Sequence, residues 1–214
     1  MNLPDENRCY ELWDHYRMPA HVREHSRKVA LVARFVAEKL SDKGVCVDVD
    51  LVERAALLHD LLKAIEFAPD GLDDAGISRG ETVIKAEDRG FFIELMQKFD
   101  GMPHTIATYE LLKDDYPELA LVIRKHGYKD ILEPSLQPFT WEEKILTYAD
   151  KRVAHEEIVS LEERFREGHE RYKKRHPEKA EEEDTERYDR AYYAIEDELF
   201  QRIGMSPDSV KTVV

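Results

Sequence analysis

Apolar residues recur along most of the chain at intervals of three and four, the period that divides a sequence into amphipathic helices. Pro19 opens the first, which carries Val22, Val29, Val32 and Val36 on one face and meets a stop at Gly44, soon after Leu40. A second starts near Asp50, with Glu53 placed for a capping box, and turns Leu51, Ala55, Leu58 and Leu62 inward. Phe92, Leu95, Met96 and Phe99 mark a helix that ends at Asp100-Gly101. Pro103 begins another, aligning His104, Ala107, Thr108 and Leu111, and Pro117 begins the next, where Val122 and Ile123 precede His126. Thr140 and Glu143 form a capping-box pattern for a helix over 141–158. Between these, residues 66–90 read as a loop with short helical pieces.

From about 156 onward the chain is mostly charge, with Ile158, Leu161 and Phe165, and later Ala191, Ile195 and Leu199, at helical spacing. A long helical hairpin interrupted near Pro177 is expected. No run of alternating Val, Ile, Thr or aromatic residues reads as a strand. The expectation is an all-α protein: a helical domain over 1–155, its core at about 18–155, and a charged helical extension over 156–214 packed on it or projecting from it.

Composition changes this picture in turn. At 214 residues the chain can bury a sizeable core without staples. A formal charge of -14 would repel a nucleic-acid backbone, so a polymeric nucleic-acid partner is not expected, although a local basic pocket could hold a small phosphorylated ligand. Cys9 and Cys46 are far apart and make neither a disulfide framework nor a zinc knuckle. The opening residues show no basic leader, and no apolar run approaches the roughly 20 residues of a membrane helix. The expectation is a cytoplasmic protein with no membrane association. The charged stretch around 169–190 reads as a solvated helix pair, with a homodimerisation arm as the alternative.

The candidate chemistry lies on the apolar faces. His25, His59 with Asp60, His104, His126 and Asp150 each fall on the inward face of a different predicted helix. One buried histidine needs only a hydrogen bond. Six ionisable groups together need a common cause, because buried polar groups must find partners and two carboxylates in one core repel unless cations intervene. A metal centre satisfies all six. Imidazole and carboxylate without thiolate favour hard or intermediate divalent ions, iron or manganese first, with magnesium, cobalt, nickel and zinc compatible, as one or two ions per chain.

The order of these segments, "MPAHVREHSRKVALVARFVAEKL", "AALLHDLLK", "PHTIATYELL", "VIRKHG" and "KILTYADKRV", resembles the HD-domain superfamily of metal-dependent phosphohydrolases, in its dinuclear H...HD...H...H...D form. The resemblance implies a first metal held by His25, His59, Asp60 and Asp150, with Asp60 bridging to a second held by His104 and His126. It implies hydrolysis of a small phosphate ester or anhydride, of nucleotide type, by a metal-bound hydroxide. "HDLLK" stands where many members show "HDIGK", and no "GYP" signature is found, which argues against the cyclic-dinucleotide branch.

Lys63 follows His59 by four residues and Asp60 by three, so helix geometry brings its ammonium over the same face to hold a substrate phosphate or polarise the bridging water. Asp60 and Lys63 are therefore the candidate catalytic pair. Lys28 reads as part of a solvated face, and Arg124, Lys125, Lys151 and Arg152 point around their helices into salt bridges. His15, His21, His155, His169 and His176 are left out of the ligand set. Two other functions stand beside hydrolysis: a di-iron HD-type oxygenase, and a non-catalytic sensor of a phosphorylated metabolite.

Overall fold

The computed structural model describes residues 2–66, 77–78, 82–83, 86–175 and 185–212. Helices dominate, and the strands among the described residues are two-residue pairings, so the all-α expectation holds. The chain order is α1 (Glu6–His15), α2 (Ala20–Asp42), α3 (Val49–Leu58), β1 (Ile77–Ser78), β2 (Thr82–Val83), α4 (Arg89–Lys98), α5 (His104–Leu112), α6 (Pro117–Arg124), α7 (Trp141–Lys151), β3 (Val153–Ala154), β4 (Glu157–Ile158), α8 (Leu161–Arg175) and α9 (Glu186–Ile203). Both strand pairs are antiparallel. Among the described residues no helix is long and apolar enough to cross a membrane.

The long helix α2 is the spine. It buries Val22, Val29, Val32, Val36 and Leu40, the stripe its period predicts, and packs most extensively on α3, then on α7. Gly44 follows in the left-handed region at φ 77°, where a glycine carries no Cβ penalty. Helices α3, α6 and α7 close the bundle, α5 lies on α6, and α9 packs on α2 and α7 with Tyr192, Leu199 and Ile203 fully or nearly fully enclosed.

Several boundaries differ from the sequence expectation. Helix α1 was not foreseen; Asp5 caps it by accepting from Arg8 N–H at 2.7 Å, and Trp13 enters the core with its indole N–H on Leu57 O at 2.9 Å. The second expected helix begins earlier, because Asp48 rather than Asp50 is the cap, accepting from Leu51 N–H at 2.9 Å. Glu53 instead joins Arg34 and Arg54 at 3.0 and 2.5 Å. The helix expected over 141–158 keeps its Thr140–Glu143 capping box but stops at Lys151, giving way to the β3–β4 turn, where His155 takes φ 56°. The expected break near Pro177 and most of the 66–90 loop lie outside the described residues; of that loop, the structure places the β1–β2 pairing and a 3-10 turn at Ala86–Asp88, with α4 starting at Arg89, while another 3-10 turn, Lys63–Glu66, leads into it.

Just after α7, Arg152 is 1% exposed. Its guanidinium donates to Val159 O at 2.6 Å, to Pro207 O at 3.1 Å and to the Tyr148 hydroxyl, and pairs with Glu196 at 3.2 Å. One side chain thus ties α7, the segment before α8, α9 and the C-terminal turn together.

The two cysteines occupy opposite environments. Cys9 is buried and its thiol is pushed up to about 12 by burial, while Cys46 is exposed. Ellman's reagent is expected to titrate one thiol per native chain at pH 8 and both after unfolding in guanidinium; two fast-reacting thiols in the native protein would contradict the placement of α1.

A candidate metal centre

The site forms where α2, α7 and the ends of α3, α5 and α6 converge. His25 sits in the second turn of α2 and Asp150 at the penultimate position of α7, and His25 Nε2 lies 3.1 Å from Asp150 Oδ1. Of the other four, His104 lies on its expected helix, whereas His59, Asp60 and His126 stand past helix ends, contrary to the expectation from spacing. After Leu58 the chain tightens into i→i+3 bonds, Leu61 N–H to Leu58 O at 3.1 Å and Lys63 N–H to Asp60 O at 2.9 Å, so His59 and Asp60 stand just past the C-terminus of α3. His126 stands just past α6 in a similar tightened turn, and His104 is the first residue of α5.

This placement has a local reason. The last carbonyls of a helix lack intrahelical donors. His59 Nδ1–H donates to Ala56 O at 2.7 Å and His126 Nδ1–H to Ile123 O at 2.6 Å, each to the residue three before. The same bond in both places fixes the tautomer and aims Nε2 inward. His104 is held differently. Glu66 Oε1 accepts its backbone N–H at 2.9 Å, an orphan donor of the α5 N-terminus, and lies 2.5 Å from its Nδ1.

The inward nitrogens and carboxylate oxygens crowd together. His59 Nε2 is 3.6 Å from both Asp60 Oδ2 and Asp150 Oδ1. His104 Nε2 is 2.9 Å and His126 Nε2 3.7 Å from Asp60 Oδ1, and the two nitrogens are 3.2 Å apart. Two ligand groups result, His25–His59–Asp60 and Asp60–His104–His126, with Asp60 common to both and Asp150 beside the first. All six predicted residues therefore meet at one place.

The residues fit a divalent ion. His59 Nε2 is buried and has no hydrogen-bond partner, an arrangement that costs free energy unless something else accepts its lone pair. Two imidazole nitrogens on one ion, each about 2.1 Å from it, sit roughly 3.0–3.4 Å apart at octahedral or tetrahedral angles, the separation His104 and His126 show. Charge supports the same reading. Burial brings His126 down to about 4, leaving a neutral ring whose Nε2 can ligate. Burial disfavours the charge on Asp60 and Asp150, yet His59 and Lys63 around the first, and Lys151 and His25 around the second, hold both well below the ordinary carboxylate range. Burial also works against a protonated His59, but Asp60 and Asp150 outweigh it and raise its pKa. A cation between these carboxylates would take the place of that proton.

Lys63 reaches the centre from the 3-10 turn rather than from a helix face: its Nζ is 3.2 Å from His104 Nδ1 and 3.2 Å from Glu66 Oε2. Lys125 and Arg124 make the expected salt bridges, to Glu143 at 2.8 Å and Asp130 at 3.0 Å. Lys151 also forms a salt bridge, but with Asp150 itself, so it points to the site and not around the helix.

Glu66 is the residue that the spacing argument missed. Burial opposes its charge, but its contacts to His104 and the nearby Lys63 bring its carboxyl down to about 2, so it stays an acceptor for the imidazole at neutral pH. A carboxylate behind a ligating histidine orients the ring and raises its basicity. Glu66→Gln is expected to weaken divalent-metal affinity about 10–100-fold in an isothermal titration, with the circular dichroism spectrum unchanged; wild-type affinity would remove Glu66 from the centre.

A family model described as HD domain matches residues 22–189. No curated protein and no solved structure matches the chain.

Proposed function

The chain belongs to the HD-domain family, whose members are usually metal-dependent phosphohydrolases, and on that premise we propose that it hydrolyses a small phosphate ester or anhydride, of nucleotide type, at the His/Asp centre. The observation that carries this reading is one carboxylate, Asp60, shared by two histidine-bearing ligand groups around an unpartnered buried imidazole nitrogen. His25, His59, Asp60 and Asp150 would hold one divalent ion, and Asp60, His104 and His126 a second. Divalent ions so held supply acidified water and neutralise phosphate charge.

The protein's own groups have separate tasks. His59 and His126 keep their Nε2 atoms fixed through bonds to the carbonyls of their own helices, so the centre pays little reorganisation when substrate arrives. Asp60 sets the spacing between the two halves. Lys63 keeps its proton: burial works against it, but Asp60, Glu66 and Asp150 raise its pKa. It is therefore a fixed cation beside the His104 half of the centre, placed to hold a phosphate oxygen and offset charge as the P–O bond breaks. Imidazole and carboxylate ligation without thiolate supports iron or manganese.

Metal content of the purified protein, with a phosphate-release screen under added Mn²⁺ or Fe²⁺, tests this reading. Release is expected from at least one of mononucleotides, dinucleoside polyphosphates and simple phosphomonoesters, and its loss on chelation. No release from any of them by the metal-loaded protein would overturn the proposal.

A further inference from the structure

A cavity of about 230 Å³ opens between α8, the turn after α6 and the residue that precedes α9, apart from the ligand groups just described. Tyr128, Phe165 and Tyr172 give it aromatic walls, and Lys129, Lys151, Arg164 and Arg171 line it with cations. In a chain of net charge -14 this is a local reversal of sign. Acidic neighbours answer part of it: Glu167 lies 3.1 Å from Arg171 and 3.5 Å from Arg164, Asp150 takes Lys151, and Asp189 Oδ2 is 3.4 Å from His169 Nε2. One lining nitrogen, Arg164 Nε, is nevertheless buried without a hydrogen-bond partner.

Gly168 lies in the interior of α8 and also lines the cavity. A Cβ added there would meet nothing within 4 Å, so neighbouring packing does not call for a glycine. Mid-helix glycine costs helix stability; its structural effect at this position is to keep a side chain out of the cavity. The volume is below the roughly 300–1,000 Å³ of pockets that enclose a whole drug-sized ligand, which suits one end of a molecule. Aromatic walls accept a planar ring, and cations with an unpaired guanidinium N–H among them accept an anion. Lys151 joins the cavity to the metal centre, since its ammonium lies on Asp150, which is 3.1 Å from His25.

We propose that this cavity binds the base and adjoining phosphate of a nucleotide, as the non-reacting end of the substrate handled at the metal centre. The word substrate rests on the hydrolytic reading; the binding does not. Calorimetric titration of the full chain in EDTA, with AMP, adenosine and inorganic phosphate as separate probes, is expected to give a Kd for AMP at least tenfold below those of the two fragments. Gly168→Leu, which fills the cavity, is expected to weaken AMP at least tenfold without lowering the melting temperature. Arg171→Gln is expected to weaken AMP and leave adenosine unchanged. With turnover, Gly168→Leu should raise the KM for a nucleotide at least tenfold.

AMP binding no tighter than either fragment, or indifferent to Gly168→Leu, would overturn the site, and an unchanged KM would overturn its assignment to the substrate. Because the titration needs no turnover, the two readings fail separately. AMP held through the cavity with no phosphate released from any compound would sink the hydrolytic function alone.

Discussion

Replacing Asp60 by asparagine is expected to lower phosphate release by on the order of 10³-fold, the scale of removing a group that acts directly on transition-state charge. Asparagine keeps the shape and one acceptor oxygen but loses the negative charge that both ligand groups share. Within the six-residue set one carboxylate then remains, Asp150, which lies by His25 and His59 and not by His104 and His126, while Glu66 stays on the outer nitrogen of His104. The His104–His126 half should therefore lose its ion first. Initial rates at saturating Mn²⁺, set beside metal content by mass spectrometry, check this; a variant with full metal content and wild-type rate would remove Asp60 from the bridging role.

The largest effect on stability is expected at Arg152. Arg152→Met keeps much of the volume but leaves Glu196 facing a buried, uncompensated site and removes the donors to Val159 O and Pro207 O. Breaking a buried pair from one side costs about 3–5 kcal/mol, which for a chain of this size corresponds to a drop in Tm of roughly 6–20 °C. The pH dependence has a definite sign. Burial already raises the Glu196 carboxyl above its ordinary value, with Arg152 opposing it. Without Arg152 the folded state binds that proton more tightly still than the unfolded chain, so stability falls as pH rises past the unfolded carboxylate pKa. The difference in Tm between wild type and variant should be smaller at pH 5 than at pH 8 in calorimetry, and a constant difference would show that Glu196 is not the group left exposed to the loss.

Local signals were legible where local physics decides them. The Thr140–Glu143 box is a bond pattern within four residues, and the stripe of α2 depends only on helical period. Helix α1 carried a readable signal too: Asp5 as cap, then Cys9, Leu12 and Trp13 at offsets of three and four. The ends of α3 and α6 were not legible, because tightening into i→i+3 bonds there serves the inward aim of His59 and His126, a demand set by residues far along the chain. The six candidate ligands were legible because imidazoles and carboxylates are conspicuous on apolar faces and their order resembles a known family. Glu66 escaped since its partner His104 lies 38 residues away, and Arg152 read as a surface salt bridge because Glu196 and Pro207 are 44 and 55 residues on. The β3–β4 turn gave no cue, since His155 occupies a left-handed position where glycine or asparagine would be the usual sign.

The contact of His25 with Asp150 spans 125 residues of sequence. Loop-closure entropy makes such a pairing one of the last to form in a folding chain. During synthesis, α2 must wait with His25 unmatched until α7 has left the ribosome, while α3, already able to pack on α2, brings only His59 and Asp60 to it. Capture of an ion by this centre would then be a late event, open only to a chain that has already collapsed around α2.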